Sequence, residues 1–323
     1  MQPATDTTMD NSLKKLPLFT MNLKKTYKTL VELFSSEKAF FSMAKEGKRI
    51  SHMAIAIPMA VVVIIAGILF SELFLFETVF QNPKISPVFR KFYSLTVTVS
   101  FVIFFIWLWI RFFEKRSLNT IGFVGKNAFK KYLAGLLTGF MMMSGVIGLM
   151  YIFGSVNNIK SMVSDGSDNT GIVLLFLIAY IIQGANEEII SRGWQFQVLG
   201  ARYKPWIGAL VSSTIFVLLH GLNNGISIIA VLNLFLFSFL LILFVLRDNS
   251  IWAACGWHSS WNWTMENIFG MNVSGTEGVV SLLNFSVKGP DFLTGGDFGP
   301  EGSIFTTFIF LIGILILLGL RTK

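Results

Sequence analysis

The chain is predicted to be an all-α, polytopic membrane protein, a helical bundle of about eight spans with both termini cytoplasmic. Three observations predict that class. Of 323 residues, 53% are hydrophobic and only 14% charged, against about 25% charged in a soluble domain. Apolar runs recur at the length a bilayer demands, about 20 residues for a hydrocarbon core of about 30 Å. Lys and Arg gather on alternate connections between those runs. The charge deficit excludes an ordinary water-soluble enzyme and a disordered chain. Cys255 is the only cysteine, which excludes a disulfide framework, a cysteine zinc site and a CxxC redox pair. The net charge of +8 is spread over many connections and builds no single basic domain. The partner it implies is therefore the lipid bilayer and not nucleic acid.

Residues 1–52 read as a basic cytoplasmic segment without the continuous apolar stretch of a signal peptide. Within it Leu23, Tyr27, Leu30, Val31, Phe34 and Phe41 recur at helical spacing, with Lys24, Lys25, Lys28, Lys38 and Lys45 largely opposite. That pattern predicts an amphipathic helix on an anionic inner leaflet, with a solvated basic tail as the alternative. Residues 53–170 hold the first three spans, Met53–Phe76, Ser94–Phe113 and Tyr132–Phe153. Residues 171–320 hold five more: Ile172–Gly200, Trp206–Leu222, Ile226–Leu246, Ile251–Phe269 and Ser303–Leu320. Backbone polar groups must be satisfied within each segment in lipid, so helices are the expected elements. With the N-terminus inside, the inner connections carry 21 Lys and Arg and the outer ones 5, which sets the orientation. Lys84, Arg90 and Lys91 fall outside and break the pattern. Gly135 and Gly139 form a GxxxG that permits close helix packing. The longest outer loop, 271–302, contains Asp291, Asp297 and Glu301, whose spacing does not fit an EF-hand; a solvated loop is the expectation.

Ionisable residues inside spans cost about 2.5–3.5 kcal/mol each on insertion scales and so point to function. The fourth span carries Glu187, Glu188 and Arg192, the fifth His220, and the seventh His258, Asn262 and Glu266. Glu188 and Arg192 stand i,i+4 in the favourable order and can pair. Glu187 lies about 100° around the helix, free to face a cavity. His258, Asn262 and Glu266 share one stripe. Any one of these alone is more readily a satisfied buried polar group; together, on three spans, they favour a site. By helical rise, Glu187 falls near mid-depth and His258 about 12 Å from the cytoplasmic end. His220 lies further toward the outer side.

The order Glu187-Glu188-x-x-x-Arg192, Phe216-x-x-x-His220 and His258-x-x-x-Asn262 resembles the motif set of the CPBP family. This family comprises CAAX prenyl endopeptidases of the Rce type and bacteriocin-processing or Abi proteins. The resemblance covers roughly 171–320, with all three motifs intact. It implies an intramembrane endopeptidase in which Glu187 and His220 activate water while His258 and Asn262 form the oxyanion hole. Glu188 and Arg192 would lock the helix and set the field around Glu187. No cofactor is then required. Zinc held by Glu187, His220 and His258 is the rival mechanism, although no HExxH occurs and the two His come from different helices. A catalytically silent scaffold or immunity protein is a further reading, disfavoured because no polar residue of the motifs is lost. A proton-coupled transporter lacks the paired broken helices it would need. The four Trp of the seventh span either shape a substrate pocket or line a packing face. The substrate implied is a membrane-associated peptide or lipidated protein, in a membrane whose Phe- and Asn-rich protein composition suggests a bacterial plasma membrane.

Overall fold

The computed structural model describes residues 23–75, 82–161 and 169–320. Its helices are α1 (Leu23–Leu33), α2 (Met53–Leu75), α3 (Pro87–Glu114), α4 (Ala128–Ile152), α5 (Thr170–Arg202), α6 (Pro205–His220), α7 (Ile228–Asp248), α8 (Trp252–Trp263) and α9 (Ile304–Gly319). A single antiparallel ribbon joins β1 (Val156–Ser161) to β2 (Leu283–Val287), with Val156 opposite Val287. The helix starts carry legible signals. Ser86, Ser227 and Ser303 cap α3, α7 and α9 by accepting from the N–H groups of Phe89, Ala230 and Thr306, and Pro87 and Pro205 occupy the first turn, where no N–H is needed.

Among the described residues five helices, α2, α3, α4, α5 and α7, are long and apolar enough to cross a bilayer, and α6 and α9 are shorter apolar helices. The segment expected as the seventh span behaves differently. Every residue of α8 from Ala253 to Asn262 is buried, so it is surrounded by protein and not by lipid. Small residues make this enclosure feasible. A Cβ on Gly135 would lie 2.0 Å from the Ala253 carbonyl oxygen, one on Gly139 2.4 Å from that of Trp257, and one on Gly256 2.1 Å from that of Tyr132. The GxxxG of α4 and the glycine of α8 thus bring two backbones into direct contact. Gly184 of α5 meets Ser259 of α8 in the same way, at 2.8 Å from its backbone nitrogen. The two chains of acid and imidazole groups described below are held face to face by that approach.

The end of the bundle holding the α3–α4, α5–α6 and α7–α8 connections is tied by a buried polar knot. Glu114 accepts from Ser51 (2.6 Å), Trp194 Nε1 (2.9 Å) and Arg116 Nε (2.7 Å). Arg116 also donates to Gln197 Oε1 at 2.7 Å, and Gln197 in turn donates to the Phe40 carbonyl at 2.8 Å. The segment after α1 is consequently part of the folded core: Phe40 and Phe41 are buried and pack on Phe196. Helix α1 docks through Leu33, which is buried, and through Phe34, whose ring stacks on Phe239 at 6.2 Å. Tyr27 and Val31, expected on the same apolar face, stay exposed. The expected cytoplasmic segment 1–52 lies outside the described residues over 1–22, as does the C-terminal tail 321–323.

Candidate active site

Three helices and one loop build the site. Helix α5 contributes Gln183, Glu187, Glu188 and Arg192; by helical rise Glu187 lies about 25 Å from Thr170 and about 22 Å from Arg202. The helix passes into a π-helical stretch, Ile189–Phe196, directly after Glu188, a distortion that often accompanies functional residues. Helix α6 ends at His220. Helix α8 supplies His258 and Asn262.

Glu188 is fully buried and anchors the group. Its Oε1 accepts from Arg192 Nη1 and from His258 Nδ1, each at 2.8 Å. The Arg192 guanidinium lies over the Phe216 ring at 4.4 Å and the Phe237 ring at 5.4 Å, a stacking that partly replaces lost hydration. Phe216 also receives a hydrogen bond at its carbonyl from His220 Nδ1, 2.8 Å away. Both acceptors are proton-free oxygens, so both imidazoles carry their hydrogen on Nδ1. Each then turns Nε2 toward the same atom: Glu187 Oε2 is 3.7 Å from His258 Nε2 and 3.9 Å from His220 Nε2. Those separations are too long for direct hydrogen bonds and suit a small oxygen species between the three. Glu187 Oε2 is buried without a hydrogen-bond partner among the described residues.

The other oxygen of Glu187 leads to a residue that the sequence reading did not single out. Gln183 Nε2 donates to Glu187 Oε1 at 2.5 Å, and Gln183 Oε1 accepts from Asn262 Nδ2 at 3.0 Å. Gln183 therefore links the carboxylate to the amide. Its signal in the sequence is its place one helical turn before Glu187 in an otherwise apolar stretch. The polar groups border a cavity of ≈ 190 Å³ whose lining includes Glu187, His220, His258 and Asn262.

Glu266, expected on the same stripe as His258 and Asn262, belongs to a neighbouring cluster. It is buried, pairs with Lys91 Nζ at 2.8 Å and accepts from the Tyr180 hydroxyl. Lys91, one of three basic residues that break the charge pattern, is thus the counter-ion of a buried carboxylate. Glu301 is buried too, holding Trp261 Nε1 (3.0 Å), Ser274 N (2.8 Å) and Ser274 Oγ (2.6 Å); it fastens one end of the 271–302 loop, whose residues 276–278 and 286–292 are exposed as expected. The Trp residues of α8 turn away from the cavity. Trp257 stacks on Trp261 at 4.7 Å, both rings pack near Phe310 of α9, and Trp263 donates to the Val173 carbonyl.

The fold and the site together define an all-α polytopic membrane protein with a buried carboxylate–imidazole centre. Residues 169–264 match the family model described as type II CAAX prenyl endopeptidase Rce1-like, a stretch that contains α5, α6, α7 and α8. The match covers 96 of the 323 residues and supports membership of the CPBP family of membrane proteases. No curated protein and no solved structure matches it. Lys91, Glu266, Ser274 and Glu301 lie beyond the matched stretch.

Proposed function

We propose that the protein is an intramembrane endopeptidase that hydrolyses a peptide bond of a membrane-associated peptide or lipidated protein, using water activated by Glu187 and His220. The observation that carries this reading is the convergence of Glu187 Oε2 with two imidazole Nε2 atoms at 3.7 and 3.9 Å. A water lodged there gives one proton to Glu187 while its remaining O–H donates a hydrogen bond to His220 Nε2. The oxygen attacks the scissile carbonyl carbon, and the C–N bond breaks as Glu187 returns the proton to the leaving amine. Negative charge grows on the carbonyl oxygen in the tetrahedral intermediate. His258 and Asn262 supply the donors for it.

Each donor has a requirement. His258 already gives Nδ1–H to Glu188, so it donates from Nε2 only when it carries a second proton. Asn262 must turn its amide from Gln183 toward the substrate. A preorganised donor of this kind is worth about 3–4 kcal/mol in a site without water.

A zinc-assisted variant is the second reading, favoured by one feature. Fixing Nδ1 of each His by a carboxylate or carbonyl is how outer partners orient metal-binding imidazoles. Glu187, His220 and His258 would hold the ion, after side-chain shifts of a few tenths of an ångström, and it would acidify a bound water. We favour the metal-free form, because Asn262, a poor zinc ligand, stands in the same polar chain. Of the substrates the Rce1-like resemblance implies, a leader or signalling peptide is favoured over a prenylated CAAX protein, and the proposed location is a bacterial plasma membrane crossed eight times. Cleavage of a membrane-embedded reporter peptide by purified protein tests the proposal, and unchanged turnover in Glu187→Gln would overturn it.

A further inference from the structure

The catalytic cavity has a closed end and an open end, and they face opposite sides of the bundle. Toward the ends of α3, α5 and α7 that carry Glu114, Arg202 and Asp248, the floor is sealed. Arg192 lies there beneath Phe216 and Phe237, and all eight residues of Ile189–Phe196 are buried. Toward the other end, the lining comes from Lys91 and Leu95 at the start of α3, Asn223 in the α6–α7 turn, and Val273, Ser274 and Thr276 of the α8–α9 loop. None of the lining residues belongs to 39–52, 114–127, 196–205 or 247–251, the segments at the sealed end. The rim is built: Asn223 Nδ2 donates to the Ser274 carbonyl at 2.8 Å, Glu301 holds Ser274, and Lys91 donates to the Glu277 carbonyl.

The charge pattern says which end is which. Among the described residues, the connections at the sealed end carry 17 Lys and Arg against 5 at the other, and one of those five, Lys91, is bound to buried Glu266. Basic residues stay on the cytoplasmic side. We infer that the cavity opens to the non-cytoplasmic side and takes a peptide segment displayed there, with the 271–302 loop as its roof. This rests on the protease reading for the word substrate, but not for the direction of the opening. Beside Asn223 in the chain, Leu222 and Ile228 are 96% and 89% exposed. Helix α6, with 16 residues, is about 24 Å long, shorter than the hydrocarbon core of about 30 Å. Placed with its His220 end short of the outer surface, the helix sets those exposed apolar side chains against lipid. A peptide anchored in the outer leaflet reaches the mouth by lateral movement. A protein prenylated in the cytoplasm sits on the opposite leaflet and meets only the sealed floor.

Thiol labelling of the full-length protein in intact cells decides the direction. Cys255 is buried, so the parent serves as the unlabelled blank. Asn223→Cys and Thr276→Cys place thiols on the rim, and Lys126→Cys marks the sealed end, where Lys126 is exposed. A membrane-impermeant maleimide is expected to label both rim variants fully before lysis and Lys126→Cys only after it. Rim labelling only after lysis, or Lys126→Cys labelling in intact cells, overturns the inference. Should one rim variant fail to fold, the other carries the test. Because the readout is independent of proteolysis, an active Glu187→Gln enzyme would remove the protease reading and leave the direction of opening intact.

Discussion

Glu187 and Glu188 are adjacent in sequence and opposite in character. Glu188 is fully buried, with one oxygen shared between a guanidinium and an imidazole; Glu187 reaches the cavity with its side chain 26% exposed. Their directions differ because consecutive residues point about 100° apart on a helix. Glu187→Gln is expected to keep the fold and lower cleavage by about 10²-fold or more, the scale of a lost general base, as single-turnover kinetics would read. Asn262→Ala is expected to lose about 3 kcal/mol of transition-state stabilisation, seen as a fall in kcat with little change in KM. Arg192→Leu tests structure and not chemistry. It strands Glu188 without its guanidinium, and thermal unfolding in detergent should register a loss of about 3–5 kcal/mol. Gln183→Ala removes the bridge between Glu187 and Asn262. Turnover should fall while melting temperature stays near that of the parent; an unchanged kcat would make the bridge incidental.

At the level of elements, the position of α8 explains the rest. A helix with His258, Ser259, Ser260 and Asn262 buried cannot be exposed to lipid cheaply, and the glycine contacts with α4 and α5 let the neighbours close around it. Replacing Gly256 with Val forces a side chain against the Tyr132 carbonyl, 2.1 Å from where its Cβ would begin. Overpacking of this kind costs about 1–3 kcal/mol. The same displacement moves His258 away from Glu188, so activity should fall further than stability alone explains, measured by assaying well below the melting transition. The short α6 acts by its length: it stops at His220, bringing the imidazole to the height of the cavity.

Over the whole molecule, two polar clusters hold opposite ends of one bundle, Glu114–Arg116 at the basic end and Glu266–Lys91 with Glu301 at the other. The site lies between them, beneath the roof loop. If Glu187 and His220 activate water unaided, exhaustive chelation leaves the rate of purified protein unchanged. Stoichiometric zinc by elemental analysis, with activity lost on its removal and restored on its return, would instead assign Glu187, His220 and His258 as ligands.

The sequence by itself determined the class of protein and singled out most of the polar groups that the structure brings together. A charge deficit and apolar runs specify helices in lipid because backbone groups have no other partner there, and i,i+4 spacing puts Glu188 beside Arg192 within one helix. Periodicity in single helices cannot say which faces meet, so the tertiary structure alone decided the pairing of Glu188 with His258, the link through Gln183 and the enclosure of α8. It also decided the place of Lys91 and Glu301. Both looked like loop charges in the sequence, and both are ion or hydrogen-bond partners of buried groups because residues distant in the chain, Glu266, Trp261 and Ser274, are packed against them. The opening of the cavity is a property of the same order: it depends on which helix ends and loops surround the polar groups, a relation between segments that no local pattern encodes.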